Sequence, residues 1–230
     1  MSPRQRRGEE TRERLLAAAL DLYEREGADG FTMTAVTGTS GVSVGSLYHH
    51  FGSFDGLAAA LYARCLSGLL DAVIAALDAV PPGEGTGTGD GTEAKAGKGT
   101  EAKAGKDAEA RAAAGVEAVV AGYLGFTREH RAAAHFVHAS AYAAFLPPHA
   151  TLVAKEKEPR LAGILGRLRP YAEAGLVVEL PDALTEMLVI GPVAETARRW
   201  LAGAPGIDLD EACRLLPERI WRSLRADVSP

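Results

Sequence analysis

Apolar residues recur every three to four positions along most of this 230-residue chain, the spacing that gives an α-helix one buried face. They are mainly Ala and Leu, whereas the Val, Ile and aromatic runs that favour strands are few. Gly27, Pro81 and Gly175 each end one of these helical segments. The sequence therefore predicts an all-α fold of about nine helices and no sheet.

The first fifty residues predict three helices, of which the last two are short. An amphipathic segment runs from Thr11 to Glu26, and Thr32 is placed to cap a second helix that reaches about Thr39. Gly41 permits a tight turn, and Ser43 can cap a third helix. Two short helices joined by a turn that contains glycine form a helix-turn-helix. We therefore assign residues 1–52 to one domain.

The remaining residues, 53–230, predict a second, larger helical domain. It opens with a long helix from Ser53 to Val80 and continues with apolar segments between Ala108 and Leu224. Between them, the stretch from about 81 to 106 is low in complexity, and the octapeptide of residues 91–98 recurs unchanged at 99–106. Because this stretch has nothing apolar to bury, we expect a mobile loop with transient helix at its end.

Composition restricts the class of protein further. Cys65 and Cys213 lie in apolar helical patterns without the spacing of paired ligands, so neither a disulfide framework, a metal site nor another cofactor is predicted. The charged N-terminus does not resemble a signal peptide, and no segment is expected to reach the roughly 18 apolar residues of a membrane span. A soluble, cytoplasmic protein is predicted. Because the net charge is −5, any surface that binds nucleic acid must be local.

The third helix of the first domain carries small, hydroxyl, aromatic and imidazole side chains in place of a continuous apolar stripe. Its sequence, from the turn onward, is GVSVGSLYHHF at residues 41–51. Hydroxyl and imidazole groups can donate hydrogen bonds to phosphates, and His49 or Ser46 can bond to a base edge. The methyl groups of Thr34 and Val44 can contact thymine methyl groups. The composition of this helix indicates a DNA-recognition helix.

In order and spacing, residues 14–57 resemble the N-terminal domain of the TetR family of transcriptional regulators. The shared features are RLLAAALDLY at residues 14–23, Gly27, Thr32, Val36, SGVSVGSLYHHF at residues 40–51, Ser53 and Leu57. In the C-terminal part, the resemblance is limited to helix count and to the stretch from Gly191 to Leu201, which is similar to the penultimate helix that such regulators use to dimerise.

This resemblance implies a homodimer, usually a repressor, whose two recognition helices enter successive major grooves of an inverted-repeat operator in double-stranded DNA. It also implies that a small, largely apolar effector binds in each C-terminal domain. The positions that correspond to base contacts are Thr34, Val44, Gly45, Ser46 and His49. The positions that correspond to phosphate contacts are Thr32, Tyr48 and His50.

Two features depart from the family pattern. Phe54 occupies a position where the family usually has a lysine that neutralises a phosphate. Thr37 and Ser40 stand where alanine is usual, so their hydroxyl groups need backbone partners if they are buried. Three arginines in an N-terminal arm that we expect to be flexible can compensate for the missing lysine by contacting DNA. They are Arg4, Arg6 and Arg7.

Two further groups of residues are candidates for function in the second domain. An aromatic and polarizable set is predicted to line an effector pocket, although it can equally form the core of the domain: Tyr123, Phe126, His135, Phe136, His138, Tyr142, Phe145 and Met187. An apolar set near the C-terminus is predicted at the dimer interface, with packing inside one chain as the alternative: Trp200, Leu216, Ile220, Trp221 and Leu224.

Other motifs give weaker indications. Residues 41–45 also satisfy G-x-S-x-G, but the nucleophile elbow of a hydrolase needs a preceding strand, and none is predicted. The Gly-Lys pairs of the octapeptide lack the spacing and strand of a phosphate loop. His130, His135 and His138 have no carboxylate or thiol at ligand spacing, so pocket or core lining is the better reading. We therefore predict a ligand-responsive DNA-binding regulator and not an enzyme. The alternative is a helical ligand-binding or enzymatic protein whose degenerate motif no longer binds DNA.

Overall fold

The computed structural model describes residues 2–81, 98–140 and 143–226 of the chain. The helices are α1 (Pro3–Gly30), α2 (Met33–Ser40), α3 (Val44–Phe51), α4 (Phe54–Asp78), α5 (Lys98–Glu129), α6 (Arg131–Ser140), α7 (Ala150–Gly166), α8 (Arg169–Glu173), α9 (Asp182–Leu201) and α10 (Leu209–Leu224), with a 3₁₀ turn at Pro147–His149. In these ranges the only β-type pairing is an isolated bridge between Val177 and Arg225. The predicted all-α fold is confirmed.

The chain forms two compact units, which are described separately below. The first contains Met1–Leu70 and Phe126–Arg160, and the second contains Asp71–Gly125 and Leu161–Pro230. The first unit thus groups the helix-turn-helix with most of α4 and with α6. The domain division at residue 52 is a functional one, and it stays a prediction.

Helix α1 begins earlier than its apolar pattern indicates. The Ser2 hydroxyl accepts a hydrogen bond from Gln5 N–H, the Gln5 side chain accepts one from Ser2 N–H, and Pro3 occupies the first turn. This capping box, together with a proline at its preferred position, starts a helix at once. The expectation of a flexible arm is therefore wrong: the backbone that carries the three arginines is helical.

The core of the first unit lies between α1 and the helix-turn-helix. Leu15, Leu16, Val36, Leu47 and Leu57 are all at most 1% exposed. Burying each side chain of this size contributes about 1.5–3 kcal/mol. Residues of α6 complete this core, because Phe136 and Val137 belong to the same buried cluster. The three N-terminal helices are thus held by apolar packing, and α2, a poor helix former, depends on it.

The second unit packs the end of α4 against α5, and α9 against α10. Gly122 allows the first contact, since a Cβ atom built on it would lie 2.9 Å from Val73 Cα. After α8, the chain pairs with the end of α10: Val178 N–H donates to the Leu224 carbonyl (2.8 Å), and Ala226 N–H donates to the Leu176 carbonyl (3.0 Å). These bonds fix the C-terminal end of α10 within its unit.

In two places, the middle of the chain differs from what its sequence predicts. Residues 98–106, expected in the loop, form the first turns of α5, since the Ala, Glu and Lys of the octapeptide are good helix formers; residues 82–97 lie outside the described part. By length and composition alone, α4 could cross a membrane, contrary to the expectation that no segment reaches that length. More than half of its apolar window is buried, as in the core helix of a globular protein.

Candidate DNA-binding surface and ligand cavity

The turn between α2 and α3 is built as its glycine predicts. Gly41 has φ 63°, a left-handed conformation that costs glycine little. Its N–H donates to the Gly38 carbonyl (3.4 Å), and Val42 N–H donates to the Thr37 carbonyl (3.3 Å). These bonds satisfy the last carbonyls of α2, as in a Schellman-type helix end. The turn fixes the direction in which α3 leaves α2.

Hydroxyl groups cap both helices of the motif. Thr32 accepts a hydrogen bond from Ala35 N–H (3.3 Å), and Ser43 accepts one from Ser46 N–H (3.2 Å). The two departures from the family's alanines also find partners: the Thr37 hydroxyl donates to the Met33 carbonyl (2.9 Å), and the Ser40 hydroxyl donates to the Thr37 carbonyl (3.3 Å). The predicted caps and backbone partners are therefore present, and the motif accommodates its unusual hydroxyls.

Helix α3 has one buried face and one exposed face. Leu47 is fully buried, whereas Val44 is 41% exposed and Tyr48 48% exposed. Gly45 and His49 are exposed as well, and these positions share a face because residues three and four apart are neighbours on a helix. Thr32 and Thr34 of the preceding helix are exposed, while Ser46 and His50 are half-buried. The structure thus gathers the predicted contact residues of α2 and α3 at one motif, most of them open to solvent.

The start of α1 lies beside α3. A Cβ atom built on Gly8 would lie 3.7 Å from His50 Cε1, and the Arg12 guanidinium lies over the Phe51 ring, 5.5 Å from its centroid. Arg6 and Arg7 are exposed on this first part of α1, and the Arg4 side chain is outside the described part. Arg6 forms an exposed ion pair with Glu10 (3.8 Å), which is weak enough to exchange for a phosphate.

Phe54, which replaces the family's lysine, has a structural role. Its ring lies 5.0 Å from the ring of Phe31, centroid to centroid, and it packs on the core of the first unit. Phe31 in turn contacts Phe136 of α6, at 5.6 Å between centroids. An aromatic contact therefore replaces a phosphate contact at this position, at the start of α4.

Arg14 contributes to the motif, although its sequence context gave no indication of this role. Its Nη2 donates to the Ser40 carbonyl (2.6 Å), the last carbonyl of α2. A cation at a helix C-terminus is favourable for both the hydrogen bond and the helix dipole. No spacing rule links two residues that are 26 positions apart in the chain.

The competing motifs of the sequence lack the geometry that they require. Ser43 Oγ is occupied as a helix cap, and a helix, not a strand, precedes it, whereas a nucleophile elbow needs a strand-to-helix turn. Among the described residues, no group of three or more His, Cys, Asp or Glu side chains is placed to hold a metal ion. His130 instead contacts the ring of Phe126 (4.8 Å), and His135 contacts that of Tyr23 (5.5 Å). Burial raises the pKa of the Cys65 thiol to about 12, so it stays protonated and unreactive at neutral pH.

The residues predicted to line an effector pocket are dispersed between the two units. Phe136 and Phe145 pack on the core of the first unit. The first unit also contains Phe126, His135 and His138. In the second unit, Tyr123 is buried and Met187 is 67% exposed. Tyr142 lies outside the described residues.

A cavity in the second unit is lined by other residues. Its volume is about 460 Å³, within the range of small-molecule sites. Asp78, Arg111 and Arg167 are its charged residues, and Tyr171 adds a phenol. Its apolar wall includes Leu77, Val116, Val119, Ile164, Leu168 and Val189. Sequence reasoning missed this wall because aliphatic residues in a helical stripe look the same whether they face a core or a cavity.

The residues predicted at a dimer interface are mostly buried within the chain itself. Ile220, Trp221 and Leu224 are at most 7% exposed, and Trp200 and Leu216 are half-buried. Large apolar side chains that are open to solvent lie elsewhere on the same pair of helices. They are Leu184 and Met187 on α9 and Leu215 on α10.

Comparison with known proteins places this architecture in a class. Residues 15–61 match the family model of bacterial regulatory proteins, tetR family. No curated protein sequence matches significantly. A TetR family transcription regulator from Marinobacter aquaeolei VT8 is similar in structure, with a TM-score of 0.65 and 16% identity over 96% of this chain and 99% of that one.

Two fatty acid regulators also share the fold. FadR from Bacillus subtilis, solved in complex with stearoyl-CoA, has a TM-score of 0.62 and 13% identity over 92% of this chain and 98% of that one. FadR from Bacillus halodurans, a fatty acid degradation regulator, has the same TM-score of 0.62 and 13% identity over 93% and 99% of the two chains. At such identities, these likenesses establish the fold alone.

A helix-turn-helix on an otherwise all-helical chain, with the fold of solved bacterial regulators, defines a DNA-binding transcriptional regulator. Over residues 15–61, its N-terminal domain matches the TetR family of bacterial regulators.

Proposed function

We propose that this regulator is a homodimeric repressor that binds an inverted-repeat operator and is released from it by a small-molecule effector. The observation that carries the DNA-binding part is the exposed face of α3, which presents Val44, Tyr48 and His49 while Leu47 anchors the helix in the core. A rigidly packed helix with small and hydrogen-bonding groups on its free face suits the major groove. A cytoplasmic location follows from this role.

The dimer is supported by the free face of α9. Leu184 and Met187 are large and exposed, and Gly191 lies seven residues after Leu184, on the same helical face. Nothing lies within 4 Å of a Cβ atom built on Gly191, so a second helix can approach closely there. Twofold pairing through this face would present each apolar residue twice and place two recognition helices on one operator.

We place the effector site in the cavity of the second unit, which is lined by residues other than the aromatic set predicted from the sequence. Its wall includes Leu77 and Asp78, in the last turn of α4. Because α4 begins at Phe54, three residues after α3 ends, movement of its last turn can change the position of the recognition helix. We propose α4 as the lever that couples ligand to DNA, and reciprocity then requires operator to weaken ligand binding.

The decisive experiment is selection of random duplexes with the purified protein. We expect enrichment of a palindromic consensus, and loss of enrichment when His49 and Tyr48 are both replaced by Ala. The matched control is Glu24→Ala, an exposed position towards the C-terminal end of α1. If the wild-type protein enriches no sequence, the helix-turn-helix is degenerate and the chain is a ligand-binding protein of another kind.

The N-terminal arginines provide an independent test. The triple variant Arg4/Arg6/Arg7→Ala should bind the operator more weakly, with a shallower dependence on salt, because each lost phosphate contact releases about one counterion fewer. Affinity is measured between low and physiological salt, with Arg25→Ala on the same helix as control. An unchanged slope would remove these residues from the interface.

The structural likeness to FadR guides the choice of effectors. Because FadR from Bacillus subtilis was solved with stearoyl-CoA, acyl-CoA thioesters and fatty acids belong at the head of a ligand panel. The readout is release of the selected operator. If no ligand of a broad panel, these compounds included, changes operator affinity, the effector part of the proposal fails while DNA binding stands.

A further inference from the structure

We infer that the cavity of the second unit binds an elongated apolar molecule that carries an anionic group, with Arg111 and Arg167 holding the anion. The inference rests on the proposed function in taking this cavity as the effector site, and it names the chemical class of the effector. It is tested by direct binding without DNA, so its failure can be told apart from failure of the operator model.

The shape of the site calls for an apolar body. Residues of α5 and of the stretch from α7 to α8 form most of its wall, with α4 and α9 completing it, and the side chains of Leu77, Val116 and Val189 are buried, at most 7% exposed. The cavity has a volume of about 460 Å³. Replacing its water with an alkyl chain or a ring system is favourable, because apolar surface is then removed from water.

The charges at the site call for an anion. Two guanidinium groups and one carboxylate line the cavity, so it has an excess of one positive charge. Arg167 is paired with Asp78, but no described carboxylate pairs with Arg111, which is half-buried. A cation that is partly removed from water without a counterion is costly, and an anionic ligand would relieve that cost. A neutral ligand would leave it in place.

Asp78 competes with a ligand anion for Arg167, one of the two arginines of the cavity. Its carboxylate occupies Arg167 in the free protein, so it competes with the anion of a ligand for the same guanidinium. The pair is exposed, with 42% of the Arg167 side chain and 60% of the Asp78 side chain accessible, and exposed pairs are weak. A ligand carboxylate or phosphate can therefore displace Asp78, and removing Asp78 should strengthen binding.

Gly115 offers a way to close the cavity without disturbing the fold. It lies within α5 and lines the site, and a Cβ atom built on it would meet only Leu77 Cδ2, at 3.9 Å. A longer side chain at this position would extend into the cavity. Since methionine is a better helix former than glycine, Gly115→Met keeps or raises helix stability while it fills the space. Gly125→Met is the matched control, because Gly125 lies on α5 away from the site with nothing within 4 Å of its Cβ position.

The experiment measures binding of four probes by calorimetry: dodecanoate, dodecanoyl-CoA, dodecanol and dodecyltrimethylammonium. For the wild-type protein, we expect at least one anionic probe to bind about tenfold or more tightly than dodecanol, the ratio that one charge-assisted hydrogen bond supplies, and the cation to bind least. Comparing dodecanoate with dodecanoyl-CoA shows whether the anion is a carboxylate or a phosphate.

The variants assign that preference to residues. Arg111→Gln should bring the anionic probe close to dodecanol without weakening dodecanol itself, whereas Lys106→Gln, an equal change of charge at an exposed position on the same helix, should leave the ratio unchanged. Asp78→Asn should raise affinity for the anion several-fold. Gly115→Met should abolish binding of every probe, and Gly125→Met should not.

The inference is overturned if dodecanol binds as tightly as both anionic probes, or if Gly115→Met binds them as the wild-type protein does. Thermal unfolding of each variant verifies that it is folded. Anion binding without operator enrichment would support this site and refute the DNA-binding proposal. Operator enrichment without anion binding would support the DNA-binding proposal and refute this site.

Discussion

Arg14 illustrates how a single side chain can support a DNA-binding turn from a distant position in the sequence. Its guanidinium caps the carbonyl end of α2 at Ser40, beside the left-handed Gly41. We expect Arg14→Ala to lower the free energy of unfolding by roughly 1–2 kcal/mol, as for a partly exposed hydrogen bond to a charged group, and to weaken operator binding because α3 loses a support.

Chemical denaturation and operator titration measure the two effects of Arg14→Ala. The control is Arg25→Ala, which removes an arginine from the same helix but breaks exposed pairs, with Asp21 (2.8 Å) and with Glu26 (3.7 Å). If Arg14→Ala and Arg25→Ala behave alike in both measurements, the capping role is refuted.

Glu195 accepts hydrogen bonds from Arg198 and Arg199, so the stability of the protein should depend on the charge of its carboxyl. Hydrogen bonds from Arg198 and Arg199 lower the pKa of its carboxyl from 4.5 to about 2. Because the folded pKa is the lower one, the stabilisation is complete above pH 4.5 and is lost as the pH falls toward 2. The stability difference between the wild-type protein and Glu195→Gln should therefore shrink on acidification. Urea unfolding at several pH values checks this, and a difference that does not change between neutral and acidic pH would contradict it.

The N-cap of α3 allows its contribution to stability to be tested separately from its contact with DNA. Ser43→Ala removes the bond to Ser46 N–H and should cost about 1 kcal/mol of stability. Ser43→Asp keeps a cap and should unfold like the wild-type protein, yet its carboxylate at the start of the recognition helix should repel phosphates and weaken operator binding. Denaturation and operator titration give opposite orders for the two variants. Equal operator affinity of Ser43→Asp and the wild-type protein would mean that the N-terminus of α3 does not lie close to DNA phosphates.

Helix α6 acquires a role that its sequence did not indicate. Phe136 packs edge-on against Tyr23 of α1, with 4.8 Å between ring centroids, and against Phe31, which follows α1. It is therefore part of the support of the DNA-binding motif and not of the cavity. Such a buried aromatic contributes several kcal/mol, so changes at Phe136 affect the fold first and ligand binding only indirectly.

For the whole molecule, the proposed dimer predicts the effect of a charge on its free face. Met187, 67% exposed, would be buried twice in a twofold interface, so Met187→Glu should yield a monomer that binds operator weakly. Mass measurement in solution at micromolar concentration tests this, with Ala162→Glu at an exposed site on α7 as control. A wild-type monomer, or a dimer that survives Met187→Glu, would refute this face as the interface.

Much of the first unit could be predicted from the sequence because its signals are local. The caps Thr32 and Ser43 and the glycine turn at Gly41 act within four residues of themselves, and the exposed face of α3 follows from its period. The helical start of α1 is also encoded locally, by the capping box of Ser2 and Gln5 and by Pro3, but the high charge of this stretch favours a prediction of flexibility. The cavity could not be predicted, since its wall joins residues of five helices that are far apart in the chain.

Local signals in the sequence are enough to predict a helical chain with a helix-turn-helix of the TetR type, because periodicity, caps and turn residues act over one or two turns of helix. Packing in three dimensions is needed to show that Phe136 supports the motif, that Arg14 holds its turn, that Trp221 is an internal residue, and that Arg111 faces a cavity. Each of these depends on which distant surfaces meet, and an apolar or charged side chain does not specify its partner until packing brings the two together.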